Sequence, residues 1–529
     1  MDLGSSEPAV EMLGNMDVDQ VFVGTLVDTP TPGTLRVQRD HLMALNAQGY
    51  ILHVLPASHP TSAAILSAPR VRTHFLPSHT FLLPTFIDLH IHAPQYLYAG
   101  TGLDLPLMQW LDQYAYRAEE RVDADPNEEG LAGRVYRRLA DRMVRTGTGG
   151  AVLFGTIGVE ANLVLAKTFL DAGLRGWVGK LSMDQSPRPT YGEPSTPASL
   201  SALHTYLDGI TRLTSTLPPH RRLVQPIITP RFVPTCSDEL LSALATVAGE
   251  RDLWVQSHMC ESADQMEWVE STRGRKDEEV FDQAGLLGPK TVQAHVTSLT
   301  PSLIELVKKR GVTLAHCPLS NVYFSDAQFP LREALDAELK VGLGSDIAGG
   351  YALSLQTAMR QAVAVSRLRE GTRRETQRDM ARGLSHAERP EPEIAREEPI
   401  TSATVPSAGP SSLRVDWMES LYVATRGGKK AMGLGGCFEV GMEFDAQKIE
   451  LASATHPSGT GPLDFFDFDL DPASVSGTGA NAPTPTPSPD EAWWTEAIER
   501  WWCNGDERNR VGIWVQGKEL DMGLGWDRT

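Results

Sequence analysis

The stretch FLLPTFIDLHIHAPQY (81–96) decides how this chain is read. Its first half is an apolar run that reads as a buried strand, and the strand ends in two histidines spaced i, i+2. Side chains alternate across a strand, so His90 and His92 share a face. Two imidazoles aimed together from a strand end make half of a metal site. Taken alone, such a pair also fits an ordinary polar strand terminus, and the sequence on either side has to decide.

Downstream, strand-like and helix-like segments alternate for more than two hundred residues. The strand-like ones are TGGAVLFGTI (148–157), GWVGKLSMD (176–184), LVQPIITPRF (223–232), LWVQSHM (253–259), TVQAHV (291–296), VTLAHCP (312–318) and KVGLGSD (340–346). Amphipathic runs such as ELLSALATVAGERD (239–252) and PSLIELVKKRG (301–311) lie between them. With residues 81–92 these make eight strands, each with a helical partner. That alternation predicts a parallel sheet, and eight such units fit a closed (β/α)8 TIM-like barrel. Barrels of this kind build their active sites at the C-terminal strand ends. There the sequence sets His90 and His92, Arg231, His258, His295, His316 and Asp346. One of these could be a chance loop residue; six strand ends in register is improbable.

Upstream, VFVGTLVDT, GTLRVQRDHLMALN and GYILHVLP read as short strands broken by Gly, Pro and Asn. The chain therefore divides into a loose leader (1–17), the first part of a small β-sandwich domain (18–80) and the barrel (81–369). A charged, Pro- and Ser-rich segment (370–412) and a low-complexity one (474–491) bury too little apolar surface to order themselves, and are expected to be disordered insertions. The last barrel helices are expected at 413–435, the second part of the β-sandwich at 436–473, and a return to it at 492–529. The small domain would thus be built from both chain ends.

Composition narrows the class. Among 529 residues, 41% are hydrophobic and 22% charged, ordinary for a soluble enzyme. A net charge of -19 with no long basic run argues against a nucleic-acid surface. Five scattered cysteines without a CxxC pattern suit a reducing compartment. No signal peptide and no membrane-spanning apolar run are visible, so a soluble, cytoplasmic protein is the expectation.

A catalytic zinc site wants about three protein ligands and one open position. His90, His92, His258 and Asp346 offer such a set, and His295 stands at the end of the sixth strand. Glu261, three residues after His258, is placed to face the same cavity, where a carboxylate can carry a proton. Each residue has a bland alternative: a surface pair at a helix start for His258 and Glu261, a helix N-cap for Asp346. For His316 the bland reading, a buried and hydrogen-bonded histidine, is the one adopted.

The segments PTFIDLHIHA, QSHMCE, VQAHV, LAHCPLSN and VGLGSDIAGG together resemble the amidohydrolase superfamily of metallo-dependent hydrolases. HIHAPQY (90–96), VGKLSMD (178–184), TPRF (229–232), QSHMCE (256–261) and GLGSDIAGG (342–350) resemble the guanine deaminase family within it. DLPLMQWL (104–111) and FEVGMEFDA (438–446) also look like that family. The resemblance implies one zinc ion per subunit held by His90, His92, His258 and Asp346, with Asp346 also acting in catalysis. It implies Glu261 as proton shuttle, His295 beside the attacking oxygen, and Gln95, Arg231 and Phe232 as readers of the base, with His258 and Asp346 also touching it. The implied reaction is hydrolysis of guanine to xanthine and ammonia by a homodimer, with no nucleic acid or membrane as partner. A related deaminase acting on another purine, a pterin or a triazine is the alternative, followed by a non-catalytic scaffold. One departure stands out: Gly158 follows TI where the family often has a histidine.

Overall fold

The structure, a computed structural model, describes residues 17–325, 327–381, 412–451 and 491–523. Its centre is a parallel sheet whose strands follow chain order: Phe86–His92, Thr148–Phe154, Arg175–Gly179, Val224–Pro230, Trp254–Met259, Thr291–His295, Thr313–His316 and Lys340–Leu343. We number these the first to eighth barrel strands. A two-residue piece, Leu181–Ser182, adds to the fourth. Most are buried along their whole length, the first and second completely, as strands covered on both faces must be. That is why they read as continuous apolar runs. The helices are set by local chemistry; Pro301–Arg310, for example, starts under the Thr300 hydroxyl and ends at Gly311, whose φ of 72° few other residues adopt without strain.

The barrel closes past the end of its eighth strand. Asp346 N–H donates to the His90 carbonyl (2.8 Å), and His92 N–H donates to the Ile347 carbonyl (2.9 Å). Asp88 reinforces the seam: one carboxylate oxygen accepts from His90 N–H (3.1 Å) and Ser345 N–H (3.0 Å).

Both chain ends build the second sheet, which has eight strands. Val18–Asp28, Arg36–Asn46, Ile51–Pro56, Arg72–Phe75 and Thr80–Pro84 come from the N-terminal side. Ala446–Glu450, Arg510–Val515 and Lys518–Glu519 come from the C-terminal side. Phe22, Met43, Ile51, Leu82 and Trp514, from strands spread across nearly the whole sheet, form one core together with Phe444. The sandwich is therefore one sheet curled on itself. Asp445 fastens it to the barrel: its carboxylate accepts from the Arg175 guanidinium (2.7 and 2.9 Å) and Gln516 N–H (2.8 Å), with Lys429 at 3.3 Å. Burial opposes a charge there, but the two cations hold the Asp445 carboxyl well below the usual range.

Two segments differ from expectation. The helix Leu355–Ala381 runs through the first twelve residues of the 370–412 segment. The reason is Glu370, which is buried and accepts from Arg373, Arg374 and Leu413 N–H, so a charged sequence is ordered by its own ion pairs. The 492–529 segment opens with a helix, Glu491–Asn504, before its strands. Trp494 and Trp501 of that helix pack edge-on against Phe81. The leader (1–16) and the segments 382–411, 452–473 and 474–490 lie outside the described residues. No described helix is long and apolar enough to cross a membrane.

Candidate active site

The strand ends bring the predicted residues into one place. The His90 ring centre lies 5.0 Å from that of His92 and 4.7 Å from that of His258. His92 Nε2 and His258 Nε2 face each other at 3.1 Å. Asp346 reaches in from beyond the eighth strand, its Oδ1 3.2 Å from His90 Nε2 and 3.6 Å from His92 Nε2. His295 Nε2 stands 3.8 Å from Asp346 Oδ2 and 3.6 Å from Glu261 Oε1. All six side chains are buried.

Their chemistry fits a metal. Burial, with neighbouring histidines adding to it, holds His90, His92 and His258 well below the usual histidine range, so all three are neutral bases. His258 Nδ1 lies 2.6 Å from the Arg231 carbonyl, which only accepts, so the proton sits on Nδ1 and Nε2 keeps its lone pair. His295 Nδ1 is held the same way by Asn321 Oδ1 (3.0 Å). His90 Nε2 and His295 Nε2 have no hydrogen-bond partner although both are buried. Buried lone pairs converging on one point beside a carboxylate, with the far nitrogens of His258 and His295 held by hydrogen bonds, suit a metal ion.

The bland alternatives fare poorly. No helix begins at Asp346, and the next described one starts at Leu355. Glu261 precedes the Ser262 cap of the helix Ala263–Arg273 and turns inward rather than onto the surface. Only His316 stays apart: it is buried as expected, but neither ring nitrogen finds a partner, and the ring stacks on Phe329. The expected hydrogen bonding of His316 is therefore replaced by aromatic packing. Backbone strain gathers here too. Cys260, His295, Val296 and Asp346 all have positive φ, a conformation that non-glycine residues hold at functional sites when the surroundings enforce it.

A pocket opens above this cluster, lined by His92, Gln95, Leu107, Trp110, Leu111, Arg231, Phe232, His258, Glu261, Phe324, Asp346 and Gly349. Burial, aided by the nearby Asp346 carboxylate, pushes the Glu261 carboxyl up to about 8. A group so placed keeps its proton near neutral pH and can donate it. On the opposite wall Arg231 lies over the Tyr116 ring (4.8 Å) and donates to Glu119 (2.6 Å). Gln95 also donates to Glu119 (2.8 Å).

Glu119 is the residue that sequence reasoning passed over. It sits in YRAEERVDA, a helix crowded with charges that looks solvent-facing, yet it is fully buried. The available signal was helical spacing: Tyr116, Glu119 and Val122 lie on one face of that helix, and all three are buried. The glycine at 158 has a physical account as well. Its N–H donates to Asp123 (3.1 Å), and a Cβ placed there would lie 2.4 Å from an Asp123 oxygen. Asp123 fills the space that a histidine at that position would need.

Comparison with known proteins identifies the family. The amidohydrolase family model matches residues 81–382. The guanine deaminase of Mus musculus is 31% identical over 511 residues, covering 94% of this chain and 96% of that one. That of Dictyostelium discoideum is 32% identical over 445 residues, covering 82% of this chain and 88% of the other. Among solved structures, a guanine deaminase from C. acetobutylicum with guanine bound in its active site superposes with a TM-score of 0.73. It is 26% identical, and the match covers 95% of this chain and 100% of that one.

Proposed function

We propose, from the premise that this chain belongs to the amidohydrolase family, that it is a guanine deaminase, hydrolysing guanine to xanthine and ammonia. The observation that carries the reading is one pocket lined by His92, His258 and Asp346, with the buried Glu261 carboxyl at its side and Arg231 and Gln95 on its wall.

Guanine presents a carbonyl next to a ring N–H, and its amino group stands on the carbon beyond. Arg231 only donates, so it addresses the carbonyl. Burial works against its charge, but the Glu119 carboxylate more than reverses that, and the guanidinium stays a cation. Gln95 reads the ring N–H, and Phe232 packs on the purine face. His90, His92, His258 and Asp346 would hold one zinc ion, which when bound supplies Lewis acidity that brings the pKa of a water to about 7. Asp346, with His295 beside it, takes up the proton of the attacking water. Glu261 gives its proton to the ring nitrogen next to the amino-bearing carbon. The departing amine then receives a proton by way of Glu261, so water adds, ammonia leaves and the ring carbonyl forms. The reading includes a cytoplasmic homodimer.

The test is ammonia release from guanine by the purified protein, with zinc measured on the same sample and mass by light scattering. A protein carrying one zinc per chain that releases no ammonia from guanine, or prefers a pterin or triazine, would sink the reading.

A further inference from the structure

Gln95 is the one base-facing group whose chemistry depends on which way round it sits. A glutamine amide has an accepting oxygen and a donating nitrogen of nearly equal size, and a 180° flip exchanges them. Two neighbours forbid that flip. Gln95 Nε2 donates to Glu119 Oε1 at 2.8 Å, and Gln95 Oε1 accepts from Ala348 N–H at 3.3 Å. Reversed, the amide would set an oxygen against a carboxylate and an N–H against an N–H. The other Glu119 oxygen accepts from Arg231 Nη1 at 2.6 Å. One carboxylate therefore holds both base-facing groups, one oxygen to each. It is fully buried, and Arg231 is 2% exposed. No other side chain type except aspartate can accept on both arms at once.

We propose that Glu119 is a specificity-determining positioning residue: by clamping Gln95 and Arg231 in one donor–acceptor order, it selects a purine edge with a carbonyl beside a ring N–H over one with an amino group beside a bare ring nitrogen. This deepens the guanine reading and rests on it. Glu119 stands behind the two residues that meet the base and acts through them. With glutamine in its place, one arm must donate, so one of the two contacts is lost. Gln95 is then free to turn and meet a bare ring nitrogen with its N–H.

Hypoxanthine and adenine isolate the effect, because they differ only along that edge and both lack the amino group that guanine loses. In the zinc-loaded wild-type protein, hypoxanthine should be the stronger competitor against guanine. Glu119→Gln should lower the ratio of the adenine to the hypoxanthine inhibition constant about tenfold or more, the scale of one mismatched buried polar contact. The KM for guanine should rise, with zinc content unchanged. In a Gln95→Ala background the same substitution should leave the ratio almost unmoved. A ratio that stays at its wild-type value while KM rises would overturn the proposal, since a merely structural Glu119 weakens both competitors alike. An equal drop with and without Gln95 would overturn it too. Should Glu119→Gln fail to fold, Gln95→Met keeps the side chain's shape and removes the amide; it must lower the ratio at least fivefold, and an unchanged ratio refutes the proposal. Failure of the guanine reading looks different: wild-type protein would release no ammonia from guanine before any substitution is made.

Discussion

Replacing Asp277 with asparagine should stabilise the protein, and only above a definite pH. Asp277 opens the helix Asp277–Gln283 and is 1% exposed. One of its oxygens accepts from Cys260 N–H (2.7 Å) and Gln265 Nε2 (2.9 Å), while the other has no partner. Burial pushes its carboxyl from 3.8 up to about 7, with Glu278 and Glu261 adding to the rise and the two hydrogen bonds opposing it. The folded protein thus holds a proton that the unfolded chain gives up near pH 4. Stability from this group is complete below about pH 4 and is lost as pH rises through about 7. At roughly 1.36 kcal/mol for each pH unit between those two values, the loss comes to about 4 kcal/mol at most. Asparagine removes the charge. Its carbonyl oxygen can take over both hydrogen bonds, and its NH2 falls where the unpartnered oxygen was. Thermal or denaturant unfolding of both proteins across pH 4 to 8 should give curves that meet at the acid end, with Asp277→Asn ahead above neutrality. Contributions from the metal site are shared and cancel in the difference. Asp277→Ala, which also removes the charge but strands a buried Cys260 N–H, should lie about 1–3 kcal/mol below Asp277→Asn at every pH. A gap between wild type and Asp277→Asn that does not change with pH, or a less stable asparagine variant at pH 8, would refute the reasoning.

Other substitutions test the site and its frame. Glu261→Gln keeps the shape but cannot shuttle a proton; turnover of guanine should fall about 10²- to 10⁴-fold with zinc content intact, measured by ammonia release and metal analysis. Arg231→Ala should raise the KM for guanine by far more than it changes zinc content, as steady-state kinetics beside metal analysis would read. Gly158→His should destabilise by roughly 1–3 kcal/mol in thermal melts, because its Cβ would meet an Asp123 oxygen at 2.4 Å. Asp445→Ala leaves Arg175 and Lys429 buried without their shared anion and should lose about 3–5 kcal/mol or fail to fold, read from the melting temperature.

The barrel was legible because its strands obey a strong rule: a strand covered on both faces must be apolar throughout, and a polar residue at its end stands out. The metal-ligand candidates stood out for that reason, and the structure gathers them. What the sequence hid was polar chemistry on helices. Glu119 lies among Arg117, Glu120 and Arg121, and only its helical spacing from Tyr116 and Val122 separates the one buried charge from those beside it. The helix to Ala381 was hidden likewise, since composition counts its charges but does not pair Glu370 with Arg373 and Arg374. The curl of the small sheet depends on strands more than four hundred residues apart, beyond the reach of any local pattern.

The seam between the first and last barrel strands bears on how the protein is made. His90 and Asp346 are joined through the backbone across a gap of some 250 residues, and the same two residues belong to the proposed metal-ligand set. On the ribosome, the first strand emerges with its histidines long before the segment that closes the ring has been synthesised. Until then the nascent chain offers a metal only scattered imidazoles, and it has neither a sealed barrel nor a carboxylate to complete the set. With that ligand set, metal capture and ring closure should fall together, late in synthesis, and a chain that stops short of residue 346 should be unable to do either.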